Sequence, residues 1–154
     1  MPKLKKGFTL IELLVVIGII ALLSVVVFVA LDPVKRFADA RNSTRFTDVN
    51  NILTAVHEYI VDNKGALPSG LTTSMAETQL GSCASGGATL CSGAAAACVN
   101  LATPLAKYLK SMPIDKGTGA TASTSGYSVT VDANNIVTIK SCMAENSEVI
   151  EVSR

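Results

Sequence analysis

Glu12 stands alone in a segment that carries no other charge: residues 13–31 hold nineteen uncharged side chains, and residues 8–11 extend the apolar run upstream. A carboxylate at the centre of a membrane helix costs about 2.5–3.5 kcal/mol, and less near the interface, so it calls for a partner. Two accounts are open. Glu12, the fifth residue of the run, reaches the headgroups and is tolerated, or it meets a positive charge supplied by another subunit.

The other reactive side chains lie downstream. Cys83, Cys91, Cys98 and Cys142 are even in number, and in an oxidising compartment they read as a disulfide framework with three possible pairings. One bridge within the loop and one tying the loop to Cys142 is the preferred arrangement. Each bridge contributes about 2–4 kcal/mol, which matters in a small domain. Zinc is the alternative, but no Cys-x-x-Cys pair is present and His57 is remote in sequence. His57 is the single histidine and lies beside an apolar helical stripe, where a structural role is expected. Asp115 and Asp132 are candidate calcium ligands, yet a calcium site needs about six to eight oxygens and aspartate is a favoured turn residue. Gly-x-Ser-x-Gly, a phosphate loop and a paired-carboxylate pocket are all missing from the sequence. The chain is expected not to be an enzyme, and no cofactor is expected beyond the calcium candidate.

These residues must be positioned by a few elements. Residues 8–31 as a helix span about 36 Å, enough for a hydrocarbon core of ~30 Å. Lys3, Lys5 and Lys6 precede it, so the positive-inside bias places the N-terminus in the cytoplasm and exports the chain beyond residue 31. Ala38-Asp39-Ala40 fits a small-x-small cleavage pattern, but a secretory signal has a shorter apolar core of about 7–15 residues. Without the first seven residues, ten basic residues face twelve acidic ones. No polybasic run then points to a specific nucleic-acid partner.

Pro33 predicts a break near residues 30–33. Residues 34–63 then read as a second helical stretch, with Val49, Ile52, Leu53, Val56 and Ile60 on one face. Gly65 and Pro68 end it. Residues 69–97, rich in Gly, Ala, Ser and Thr, read as a loop. Residues 100–110 read as a short helix capped by Thr103. Residues 127–131 and 136–140 alternate around Asp132-Ala133-Asn134-Asn135 as a hairpin, with 148–152 as a third strand.

The string Lys5-Lys6-Gly7-Phe8-Thr9-Leu10-Ile11-Glu12, followed by LLVVIGIIALLSVV, resembles the processing signature of type IV prepilins and of type II secretion pseudopilins. The resemblance is tight over residues 3–31, fair to Pro68 and architectural beyond. It implies an α+β, pilin-like fold, in which a long N-terminal transmembrane and spine helix packs on a small antiparallel sheet beside a disulfide-stapled variable loop. The implied organisation is a leader (1–7), a transmembrane and assembly helix (8–31), the exported half of the spine (32–64) and a globular head (65–154). Within the head lie a variable loop (65–100), a short helix (101–111) and strands (126–152).

In that family a prepilin peptidase cuts after the glycine and methylates the new terminus. By resemblance, Gly7 ends the leader, Phe8 becomes the N-methylated terminus, and Glu12 pairs with the terminal amine of a neighbouring subunit. The implied partners are identical or related pilin subunits, the prepilin peptidase, an inner-membrane assembly platform, and the lipid bilayer before assembly. The implied location is the cytoplasmic membrane, crossed once with the N-terminus inside, and then an extracellular filament. Some secretion pseudopilins bind calcium in C-terminal loops, which SMPIDKGTG resembles loosely. The expected function is a structural filament subunit. The alternatives are a type II secretion pseudopilin and an unprocessed membrane-anchored extracellular binding domain.

Overall fold

The computed structural model describes residues 7–154. Residues 1–6, with Lys3, Lys5 and Lys6 of the expected leader, lie outside the described residues. The chain divides into two units, one ending at Phe37 and the other running from Ala38 to Arg154.

The first unit is built on α1 (Leu10–Leu31), a 22-residue helix with no buried residue. Leucine, isoleucine and valine cover all its sides, the pattern of a helix made for an apolar surround rather than for one packed face. At about 1.5 Å per residue it is roughly 33 Å long, sufficient to cross a bilayer. The one hydroxyl in its interior is satisfied locally, since Ser24 Oγ donates to the carbonyl of Ile20 at 2.7 Å. The helix stops at Asp32, which adopts a left-handed conformation with φ of 39°. Pro33, with φ suited to a first helical turn, then opens α2 (Pro33–Asp62). Asp32 helps to cap that second helix, accepting from the Lys35 N–H at its carboxylate and from the Arg36 N–H at its carbonyl.

The second unit contains the remainder of α2 and a four-stranded antiparallel sheet in the order β1-β2-β3-β4. The strands are β1 (Met75–Gln79), β2 (Tyr127–Val131), β3 (Val137–Ser141) and β4 (Glu151–Ser153). Val49, Ile52, Leu53 and Val56 on α2 are buried, and Ile60 is partly buried. They form one core with Tyr127, Val129 and Val131 of β2 and with Val137 and Ile139 of β3. Alternation places those strand residues on one face, and the register pairs Val129 with Ile139 and Val131 with Val137. The hairpin turn is held by Asp132, whose Oδ1 accepts from the N–H groups of Asn134 and Ile136, each at 2.7 Å.

Three elements differ from the sequence expectation. β1 lies inside the expected loop; it pairs with β2 through a bulge between Met75 and Thr78, and Met-Ala-Glu-Thr-Gln has little of the β-branched alternation that marks a strand. Residues 101–111 form consecutive turns instead of a regular helix. Leu105 and Leu109 donate four residues back while Ala106 and Tyr108 donate three back, and Pro104 has no N–H to contribute. Their cap is Asn100 rather than Thr103, with Asn100 Oδ1 accepting from the Ala102 N–H at 2.9 Å. The last strand begins at Glu151, later than expected. At the end of α2, Gly65 takes φ of 92° and donates to the Ile60 carbonyl at 2.8 Å, the left-handed closure that glycine permits.

Two disulfides staple this unit. Cys83 joins Cys98, fifteen residues apart, and Cys91 joins Cys142, fifty-one apart. The first closes the loop on itself. The second ties the loop to the segment just after β3.

Candidate processing and assembly site

Residues 7–9 precede α1 without regular structure, and the Phe8 side chain is 80% exposed. Among the described residues, a Cβ placed on Gly7 would meet nothing within 4 Å.

Thr9 is the N-cap of α1, with φ −82° and ψ 152°. Its hydroxyl donates to Glu12 Oε2 at 2.6 Å and its N–H donates to the same oxygen at 2.8 Å. The Glu12 N–H returns a bond to Thr9 Oγ1 at 3.3 Å. This capping box satisfies helix-end donors that have no partner within the helix, and the acidic group lies at the end of the helix where the backbone dipole favours it. Thr at one position and Glu three residues later is therefore enough to start α1 at Leu10. The same arrangement holds the lone carboxylate about one turn from Phe8, bonded to Thr9, the second residue after the expected cut.

The other expected site residues fall elsewhere. His57 lines an open groove with Glu58, Asp62, Tyr108 and Arg154; among the described residues its Nε2 has no hydrogen-bond partner, and no serine or cysteine nucleophile is in that lining. Beside it the Lys107 ammonium holds the Asp62 carboxyl below its usual range, with help from the Tyr108 hydroxyl. All four cysteines are in disulfides, so none is available as a metal thiolate.

Asp115 and Asp132, the calcium candidates, both have hydrogen-bond partners within the chain. Asp115 is buried and bound by the Arg45 guanidinium through two bonds, Nε to Oδ2 at 2.6 Å and Nη2 to Oδ1 at 3.1 Å. It also accepts from the Gly117 N–H at 2.6 Å. Asp132 spends its carboxylate on its own turn. Among the described residues no group of three or more His, Cys, Asp or Glu side chains could hold a metal ion.

Arg45 belongs to a polar network that sequence reasoning missed. Its Nη1 donates to Asn42 Oδ1 at 2.9 Å, and Asn42 Nδ2 donates in turn to the Glu145 carbonyl and to Glu148 Oε2. Glu145 also pairs with Arg41 at 2.5 Å, and that guanidinium holds its carboxyl below the usual range. The signal was in the spacing: Ala38, Asn42, Arg45, Val49, Ile52 and Val56 recur every three or four residues, and all are buried. A polar pair that continues an apolar stripe needs hydrogen-bond partners, here supplied by buried Asp115, half-buried Glu145 and exposed Glu148.

Comparison with known proteins adds one positive finding. The prokaryotic N-terminal methylation motif matches residues 2–28. No curated protein and no solved structure matches the chain. That motif covers the Gly7–Phe8 peptide, the Thr9–Glu12 cap and most of α1, and it supports a class III signal prepilin of the type IV pilin and pseudopilin family.

Proposed function

We propose that the chain is the structural subunit of a type IV pilus-like filament. Prepilin peptidase cuts after Gly7 and methylates Phe8, and the subunit waits in the cytoplasmic membrane with its N-terminus inside. An inner-membrane assembly platform then moves it into an external polymer of identical or related subunits. The observation that carries this reading is the methylation motif, with one carboxylate at the head of an otherwise uncharged helix.

The chemistry supports a role for Glu12 in assembly. A carboxylate and an ammonium are each costly in an apolar surround and much less costly together. Cleavage before Phe8 creates such an ammonium in every subunit. Polymerisation moves α1 from lipid into a bundle of equivalent helices, so its apolar surface changes neighbours without entering water.

A type II secretion pseudopilin shares the whole N-terminus and is the second reading. A calcium-loaded C-terminal loop would favour it. The pairing of Asp115 with Arg45 and the two disulfides support the pilus reading instead.

The test is mass spectrometry of the N-terminal peptide in material sheared from the cell surface. An N-methylated Phe8 terminus is expected there, whereas an intact leader in a protein confined to membranes would overturn the proposal. In parallel, Glu12→Ala should leave membrane insertion intact and reduce filament yield about tenfold or more, as loss of a buried charge partner would. Normal filaments formed from that variant alone would remove Glu12 from the mechanism.

A further inference from the structure

From Phe8 to Val34 the sequence contains no lysine or arginine, so Lys35 and Arg36 are the first side-chain cations after the expected cut. With Val34 and Phe37 they fill the first turn of α2 after Pro33. All four residues belong with α1: the first unit ends at Phe37, and the first buried residue of α2 is Ala38. Val34 is 76% exposed and Phe37 66%. Among the described residues neither Lys35 nor Arg36 forms an ion pair. The two carboxylates nearest in sequence are engaged elsewhere, Asp32 by the Lys35 N–H and Asp39 by the Asn146 amide.

Helical spacing puts Val34 and Phe37 on one side of this turn and Lys35 and Arg36 on the other. A partner that meets one side would satisfy only half of it, whereas a medium that surrounds the helix satisfies both. Depth supplies such a medium. With α1 roughly 33 Å long and a hydrocarbon core of ~30 Å, Leu31 falls at the edge of the core, and Phe37 lies about 9 Å further along the helix. The headgroup layer on each side is about 5–8 Å thick. The turn therefore falls within that layer, where apolar side chains reach back to the acyl chains and long basic ones reach the charged headgroups.

We propose that Val34–Phe37 is a lipid-binding collar at the exported end of the membrane helix, in which Lys35 and Arg36 take the phosphates of anionic phospholipids and Val34 and Phe37 rest against the adjoining acyl chains. The guanidinium suits a pair of phosphate oxygens, and the ammonium acts as a point charge. The inference rests on the proposed residence in the membrane before assembly and deepens it by naming the lipid chemistry. The collar fixes the depth at which the subunit waits, and its phosphate contacts are given up when the subunit leaves the bilayer.

The chain has no tryptophan, so Phe37→Trp introduces a single indole whose quenching reports its neighbours. The full-length variant is reconstituted in vesicles of phosphatidylcholine and phosphatidylglycerol, with bromine on the upper acyl chains of one lipid or the other. Brominated phosphatidylglycerol is expected to quench this indole with an apparent association about fivefold stronger than that of brominated phosphatidylcholine, the gain that a basic residue at an anionic surface provides. Adding Lys35→Gln with Arg36→Gln should bring the two lipids to near equality. Inorganic phosphate should weaken the preference no more than chloride of the same ionic strength.

An indole quenched by iodide in the water and by neither brominated lipid would overturn the collar. So would equal quenching by the two lipids with both cations in place, or a preference that survives their removal. A loss specific to inorganic phosphate would assign the cations to the free anion instead. Failure of the membrane reading itself has a separate signature: Leu22→Trp, midway along α1, would then also escape bromine, whereas its quenching beside an unquenched Phe37→Trp would remove the collar alone.

Discussion

Arg45 is 3% exposed, and its charge is answered by a carboxylate that is itself buried. Breaking such a pair from one side leaves a buried charge without its counter-ion, at a cost of about 3–5 kcal/mol, whereas replacing both members with apolar groups of similar size is much milder. Arg45→Ala should therefore lower the unfolding free energy by about 3–5 kcal/mol in denaturant titrations of the detergent-solubilised chain. Arg45→Met combined with Asp115→Leu should recover most of that loss, and equal losses in the single and double variants would show that the pair is not the cause. The surroundings leave no room for adjustment. Gly126 has φ of 82°, and a Cβ there would lie 2.8 Å from Asp115 Cβ, so the backbone beside the pair is committed to glycine. From sequence, Asp115 is a candidate ligand and Arg45 one charged residue of a helix; nothing local reveals that residues seventy positions apart meet.

At the scale of elements, legibility followed the strength of the local pattern. The membrane helix and its cap were plain because an uncharged run and a Thr-x-x-Glu start are local features. β2 and the turn at Asp132 were plain because alternation and turn chemistry coincide there. β1 was hidden, since a strand of Met-Ala-Glu-Thr-Gln is formed by pairing with β2 and not by its own propensity. The loop between β1 and β2 sends Leu80, Val99, Leu101 and Leu105 into the core, and its two covalent ties carry different weight. Loop-closure entropy grows with the logarithm of the enclosed length, so losing Cys91–Cys142 should cost about 1 kcal/mol more than losing Cys83–Cys98. Thermal unfolding of the Cys91→Ser, Cys142→Ser variant against the Cys83→Ser, Cys98→Ser variant measures that difference. The reverse order would mean that strain or packing outweighs loop length.

For the molecule as a whole, the alkaline limit of stability is set in the core. Tyr127 is fully buried and donates to Asp48 Oδ2 at 2.7 Å; burial, aided by that carboxylate, pushes its hydroxyl well above the ordinary value of 10.0. Below that value both folded and unfolded chains keep the proton, and its contribution to stability is fully present. As pH rises further the unfolded chain releases the proton and the folded chain holds it, so stability falls. The unfolding free energy should decline between about pH 10 and 12, and Tyr127→Phe should flatten part of that decline. An unchanged slope in the variant would place the alkaline sensitivity in other groups.

The Thr9–Glu12 cap has a further consequence at this scale. Within a single chain the carboxylate already has its hydrogen bonds, so on the proposed reading a neighbour's ammonium gains only the difference between two satisfied states. On that reading a subunit that withdraws from the polymer finds those bonds again without any chemical step. Growth and shortening then run, on that reading, over the same ground in both directions, and a withdrawn subunit returns to the bilayer fit for reuse.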